Sequence, residues 1–588
     1  MGSKARRPQH CHAATSSAVP AEHVGEESDQ SGPGFQDRSH NEKKEDLDSR
    51  SVESVRAEED KDKDSDESLD TDFDSGSEAG RARITRSISE VRDGIQIRRD
   101  VELGADNDQL EKQATQRSEH DPNLVTWDGP NDPENPKCWT YRKKWLAVFV
   151  VSIFTLISPV SSSMTAPALP DIGRELHITL YIEQILSLSI FLLAYAIGPL
   201  CMGPLSEIYG RTIVLQLSNL LFLFFNLGCG LARTKEQLIA FRFFAGLGGS
   251  APLAIGGGVL SDLFTAEERG RAISIYSLMP LLGPAIGPIA GGFITQQTSW
   301  RWIFHAVTIA DGLVQVLGFF FLRETYAPVL LGRRRARLVR ETGNADLHTI
   351  YDRPDRTLAQ TLRIALTRPF RLLFTQVILQ VLALYMMYLY GIMYIQLSTF
   401  PALWRSYGMG VGAGGLHYIS LGVGFFLGAQ VCAPLQDRVY AALKRRRGLS
   451  AEGLPEFRVP MMVPGAVLVP AGLLVYGWTA QCRTHWIGPD VGAAMLTAGV
   501  IVGFQCIQGY LVDTYALYAA SAIGAATVLR SLAGFGFPLF APALYDRLDY
   551  GWGNSVMALV AVVVGWPAPI LLWKYGAVLR ARSPYAQG

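Results

Sequence analysis

Residues Pro280 to Gly292 read PLLGPAIGPIAGG, and the medium able to hold such a run decides the fold. On a helix Gly283, Gly287 and Gly291 fall at i, i+4 and i+8, and Pro280, Pro284 and Pro288 form the neighbouring stripe. In water this is a poor helix, since an interior Gly costs roughly 1 kcal/mol and an interior Pro roughly 3 kcal/mol relative to Ala. In hydrocarbon the backbone has no alternative partner, and neighbouring helices re-satisfy the freed groups. The prolines release the carbonyls of Tyr276, Pro280 and Pro284, and the Gly stripe lets another helix backbone approach. The stretch reads as a bent, closely packed transmembrane helix.

The rest of the 588-residue chain agrees. Formal net charge is zero, but the charges are segregated: before about Arg142 the chain is polar, and after it apolar runs of roughly 20 residues recur. Lys4, Arg6 and Arg7 are followed by more polar residues, so no signal peptide is read and the first membrane helix directs insertion. The seven cysteines are scattered with no CxxC pair, which gives no disulfide framework or zinc site. His10-Cys11-His12 lacks a second ligand cluster, so no metal is expected. Zero net charge and the lack of a basic, aromatic-interleaved domain argue against nucleic-acid binding.

Residues 1–126 form an expected disordered cytosolic arm, too poor in large apolar groups to offset chain entropy. Within it, Ser87 and Ser89 follow Arg83 and Arg86, either as basic-directed phosphorylation sites or as plain solvated tail. The lead-in, 127–143, contains WDGPNDPENPKCW, where Pro and Asn block regular structure before the membrane surface. Six spans follow within 144–322, at about 144–165, 182–202, 213–231, 238–259, 272–294 and 303–322. A charged central cytosolic loop, 323–368, contains GRRRARLVRE. Six more spans fill 369–575, at about 372–396, 414–433, 459–478, 491–512, 519–539 and 556–573, before a cytosolic tail at 576–588. The basic residues Arg142 to Lys144, Arg211, Arg269, Arg271, Arg333 to Arg337, Lys444 to Arg447, Arg580 and Arg582 share one side, which the positive-inside rule makes cytosolic. The fold class is therefore an all-α membrane protein of twelve transmembrane helices in two pseudo-symmetric six-helix halves.

The loop after the second span, GPLSEIYGRT from Gly203 to Thr212, places Glu207 between a Gly-Pro bend and Gly210-Arg211. There an acid can meet helix N-terminal amides and an Arg can meet a carboxylate, which makes a gating latch of Gly203, Glu207, Gly210 and Arg211. In the second half APLQDRVYAALKRRR puts Asp437 near the Glu207 position, a weak internal repeat.

These motifs, with RFFAGLGGSAP, EERGRAISIYSL, GPAIGPIAGG, SWRWIF and LRETYAPVLL, resemble the twelve-span drug:proton antiporters of the major facilitator superfamily. The similarity is to the fungal branch that includes polyamine, azole and toxin exporters, and it covers roughly Trp127 to Lys574. Glu207 replaces the usual Asp of the first loop motif, and Thr212 a frequent second basic residue. The resemblance implies the twelve-helix fold and makes Gly283, Pro284, Gly287, Pro288, Gly291 and Gly292 the antiporter motif, at the interface between halves. Ser274 stands where the full pattern has a further glycine. It also implies a proton-coupling role for Arg242 in the fourth span.

By its own chemistry Arg242, buried, would cost about 2.5 to 3.5 kcal/mol on insertion scales, so it faces a cavity or partner, or else snorkels to the outer surface. Asp513 and Arg530 either pair across a short turn or each mark a helix end, and with Arg242 they form the candidate charge network. Candidate cavity residues are Glu183, Gln184, Gln296, Gln297, Gln380, Tyr385, Tyr388, Tyr390, Gln505 and Gln508, whose aromatic and amide groups suit bulky amphipathic or cationic ligands.

The function expected is proton-coupled efflux of a small amphipathic molecule, such as a toxin, drug or polyamine, by alternating access. Proton-coupled nutrient uptake on the same fold is the alternative, against which RETYAP stands where sugar transporters carry a PESPR-like signature. No catalytic constellation recurs at one membrane face, so an enzyme or receptor is not expected. No Walker-type loop occurs, so the proton gradient serves in place of a cofactor. A monomer in the plasma membrane with both termini cytosolic is expected, a vacuolar or other internal membrane being the alternative.

Overall fold

The computed structural model describes residues 121–129, 131–352, 358–448 and 453–586. The expectations for residues 1–120, including His10 to His12, Ser87 and Ser89, lie outside the described residues. The regular secondary structure of the described residues is helical, apart from one isolated bridge between Leu124 and His348.

The first half is built from Tyr141–Met164, Tyr181–Tyr209, Arg211–Leu231, a fourth span in two pieces (Lys235–Gly249 and Ala251–Leu263), Ala266–Gln297 and Arg301–Phe321. The fourth span bends where Pro252 enters the first turn of its second piece, a position that needs no backbone N–H. The second half is built from Val377–Ser406, then Val411–Leu416 continuing as Tyr418–Arg446, then Met462–Gln481 and Ile487–Thr514. Its last helical run, Ala519–Ala581, has 63 residues, which at 1.5 Å each would reach about 95 Å if straight. Asp549 breaks it with φ 53° and ψ −178°, turning the chain back, so this run supplies both the eleventh and the twelfth spans.

The seventh span begins at Val377, later than the 372 expected from hydropathy. Leu372 and Leu373 instead belong to the buried face of a separate amphipathic helix, Leu358–Thr375, which ends where Gln376 becomes extended. A hydropathy window cannot divide two apolar faces that adjoin in sequence. The central stretch expected as a charged loop also holds helix Ala327–Thr342, closed by Gly343 in the left-handed conformation.

The lead-in does more than approach the membrane. Val125 N–H donates to the His348 carbonyl at 2.8 Å, and His348 N–H donates to Asn123 at 3.0 Å. Arg334 of the central helix pairs with Asp132 at 2.7 Å and also contacts Asp128, while Arg337 pairs with Glu134 at 2.9 Å. Burial works against the Asp132 carboxylate, but the N–H groups of Asp128 and Glu134 and the Arg334 guanidinium prevail and hold it below the ordinary range.

At the end opposite the basic loops, Glu175 accepts from Trp300 Nε1 at 2.6 Å and pairs with Arg301 at 2.9 Å. Arg301 Nη1 also donates to the carbonyls of Gly230 and Ala232, which closes the C-terminus of the third span. These bonds position the sixth span against the third.

The exposed turn at Asp549 holds a backbone conformation that L side chains rarely adopt. Asp549→Gly is expected to raise the thermal unfolding midpoint of the purified protein, corresponding to about 1 kcal/mol, and Asp549→Val to lower it. Equal midpoints for the two variants would show that the turn is unstrained.

Candidate functional site

At the basic end of the first half, Gly210 turns the chain at φ 105°, and a Cβ there would lie 2.3 Å from Glu324 Oε2. The missing side chain lets Glu324 cap the third span. Its carboxylate accepts from Arg211 N–H at 2.9 Å and Thr212 N–H at 3.2 Å, and also from Thr325 and Tyr326 N–H. The Arg211 side chain then reaches Asp262 at 3.4 Å and donates to Ser206 Oγ at 2.6 Å, with Tyr326 beneath its guanidinium. Glu207, the acid expected to meet those amides, is exposed, and Gly203 has open space around it. The residues that the loop motif alone did not reveal are therefore Glu324, just beyond the end of the sixth span, and Asp262, at the end of the fourth.

The second half repeats this arrangement. Arg458, entering the ninth span, pairs with Asp513 at the end of the tenth at 2.5 Å and lies over Tyr440. Glu456 pairs with Arg580 at the end of the twelfth at 3.0 Å. Asp513 is thus the partner of Arg458, and Asp437 is exposed nearby. The pairing across the turn between Asp513 and Arg530 is not made.

The fifth span presents its glycine stripe and an adjoining face to different neighbours. A Cβ on Gly283 would lie 2.4 Å from Pro159 Cβ, one on Gly287 would lie 2.7 Å from the Val160 carbonyl, and one on Gly291 would lie 2.1 Å from the Met164 carbonyl. These glycines therefore lie on the first span, within their own half, where Ser163 Oγ also donates to the Gly283 carbonyl at 3.0 Å. On the fifth span, the contact with the other half falls to the adjoining face, which carries Ala285, Pro288 and Gly292. A Cβ on Gly292 would meet the Val411 carbonyl at 2.9 Å, one on Gly415 the Pro288 carbonyl at 3.1 Å, and one on Gly422 Ala285 Cβ at 2.8 Å. Gln296 completes this seam by accepting from Gly412 N–H at 2.8 Å.

Arg242 is fully buried, at 0% exposure, and does not snorkel. It donates to the carbonyls of Ser161, Ser162 and Ser187, each at 3.2 Å, and to Thr165 Oγ1 at 3.3 Å, with Phe191 under its guanidinium. Two of those carbonyls lie in the last turn of the first span, where helix carbonyls lack partners and a cation is favoured. Arg530 stacks over Tyr390, whose ring lies 4.9 Å from Tyr394 and 5.9 Å from Phe504. Tyr195, bonded to Ser158, lies within electrostatic reach of Arg242, Tyr390 and Arg530, so these groups from both halves form one cluster.

Other cavity candidates lie elsewhere. Glu183 pairs with Lys235 at 2.7 Å and Gln184 donates to Ile178, both at the far end. Tyr388 donates to the Met557 carbonyl, and Tyr385 is buried without a hydroxyl partner. Gln380 and Gln508 are exposed, and Gln505 is half-buried with an unpartnered Oε1. One buried network escaped sequence reading altogether. Asp311 of the sixth span, at 0% exposure, accepts from Asn219 Nδ2 of the third at 3.0 Å, and Asn219 also donates to Gln315. Asn219 and Asp311 are each unremarkable among apolar neighbours, and only helix packing brings them together.

A family model described as Major Facilitator Superfamily matches residues 151–538. The efflux pump vrtL of Penicillium aethiopicum is 50% identical over 472 residues, covering 80% of this chain and 93% of that protein. The efflux pump radE of Floropilus chiversii is 41% identical over 468 residues, covering 79% and 86%. Among solved structures, a partially occluded inward-open form of the xylose transporter XylE from E. coli aligns with TM-score 0.54 and 14% identity, covering 74% of this chain and 98% of that one. That likeness is one of fold.

The two stripes of the fifth span separate experimentally. Gly291→Val drives side-chain atoms into the Met164 backbone and is expected to lower the yield of folded protein sharply. Gly292→Val strains only the seam between halves, so folded yield is retained while a cysteine placed at Gln296 labels faster with an impermeant maleimide. Equal loss of folded protein in both variants would show that the stripes are not distinct.

Proposed function

The chain belongs to the Major Facilitator Superfamily, and from that membership we propose a proton-coupled secondary exporter of a small amphipathic molecule. A transporter, and not an enzyme, follows from the family itself. The observation that carries the export reading is the double stripe of the fifth span, dense Gly contact with the first span on one side and the eighth-span seam on the other. A span so held moves with the first half as a rigid body and opens or seals the second half along Gly292, Gly412 and Gly415. Relatives that are named efflux pumps support the same direction of transport.

In this reading the halves are residues 144–322 and 369–575, joined by 323–368, with the lead-in and tail on the cytosolic side. The paired charges at the basic end, Arg211 with Asp262 and Arg458 with Asp513, are matched latches that hold each half together while the halves rock. Arg242 belongs to proton coupling because it ties the fourth span to the first and second spans in one buried set of bonds. We place the protein in the plasma membrane as a monomer, exporting a secondary metabolite or drug.

Inside-out vesicles test this directly. An inward-acid gradient is expected to drive labelled substrate into their lumen, and Arg242→Ala to reduce that accumulation about tenfold while substrate exchange without a gradient continues. Gradient-driven movement in the opposite direction would establish uptake, and an unchanged Arg242→Ala rate would remove Arg242 from coupling.

A further inference from the structure

The placement of charge points to the substrate's own charge. The buried and half-buried carboxylates of the spans are engaged away from the central cluster, and Glu207, Asp437, Asp546 and Asp549 are exposed. Asp262 faces Arg211, Asp513 faces Arg458, Glu183 faces Lys235, Asp490 faces His417, and Asp311 is held by Asn219 in the seam between third and sixth spans. The two central arginines have no such partner. Arg242 is bonded to carbonyls and a hydroxyl, which satisfy its N–H groups and leave its charge unbalanced. Arg530 is less provided for: among the described residues it has no hydrogen bond and no ion pair, and its Nε is buried without an acceptor.

An unpaired charge in this setting is costly. The face of Tyr390 offsets part of that cost, since the electron-rich face of a ring attracts a cation. Stacking occupies the face of the guanidinium and leaves its in-plane N–H donors free, in the planar fork that suits a carboxylate. Beside the Tyr390 ring that it stacks on stand Tyr394 and Phe504, with Tyr195 within electrostatic reach, and these rings provide flat apolar walls with polar edges. A cationic ligand here would be repelled by both arginines, with no carboxylate to receive it.

We propose that the central site selects an aromatic weak acid, whose anionic oxygen is received by Arg530 and whose ring is held among Tyr390, Tyr394 and Phe504. Polyamines and cationic drugs are thereby excluded as the principal cargo. The assignment deepens the export reading and rests on it for the word cargo, while binding itself needs neither a gradient nor a direction.

The test uses the full-length protein in lipid nanodiscs without a pH gradient, and three probes that share one ring system and differ in charge: naphthoate, naphthylmethanol and naphthylmethylamine. Naphthoate is expected to bind about tenfold more tightly than naphthylmethanol, with naphthylmethylamine the weakest of the three. Arg530→Gln is expected to erase the difference between naphthoate and naphthylmethanol, and Arg530→Lys to retain most of it. Equal binding of the three probes by the wild-type protein, or a preference for the amine, overturns the proposal whether or not any variant folds. Retention of the naphthoate preference in Arg530→Gln overturns the role of Arg530. A wild-type naphthoate preference combined with gradient-driven uptake would sink the export reading and leave the selectivity intact.

Discussion

The structure depends on one contact that only glycine permits, the backbone of the fifth span lying against that of the first. At Gly287 and Gly291 a single Cβ would fall within 2.7 Å and 2.1 Å of first-span carbonyls. In hydrocarbon, helices gain little from hiding apolar surface from one another, so close approach and interhelical bonds must supply the association. Once the two backbones touch, the remaining face of the fifth span is directed at the eighth, and Gly292, Gly412 and Gly415 form one meeting line of the halves, alongside the packing of the second span on the eleventh. The residues that look like one motif in sequence thus divide into a contact within the first half and a contact between the halves.

Charge is distributed under the same constraint. A carboxylate or guanidinium inside the bilayer is tolerated when paired, capped against helix ends or open to a cavity. Both halves apply the same solution at the basic end, where an arginine entering the third or ninth span meets an aspartate closing the fourth or tenth. The pairs are equivalent in position, although the loop sequences around them barely match. Centrally the solution changes: Arg242 is satisfied by helix-end carbonyls, and Arg530 by a ring face alone. This asymmetry between ends and centre separates groups that hold the scaffold from a group free to receive a ligand.

Much of the fold was legible because hydropathy and helical period are local. Apolar runs of span length, the Gly and Pro spacing from Pro280 to Gly292, and the basic residues between spans are all visible without knowledge of neighbours. The site was legible only in part. Glu324 stood in the quoted LRETYAP, yet the amides it caps are 113 and 112 residues away, so nothing near it identified its role. Glu207 sat beside those amides in sequence and points to solvent instead. Asp513 was read against Arg530 because the two flank one turn, whereas the helix ends bring Arg458 to it.

By itself the sequence determined that this chain is a twelve-span membrane protein, that its basic residues recur in alternate loops, and that its fifth span is a closely packed helix. The tertiary structure alone decided which neighbour each stripe of that helix meets and which carboxylate answers each arginine. It also decided that Arg242 is buried beneath the end of the first span. The division has a physical reason. Partition into a bilayer is governed by each segment's own composition, whereas a glycine contact or an ion pair exists only where helices far apart in the chain bring their atoms to within a few ångströms.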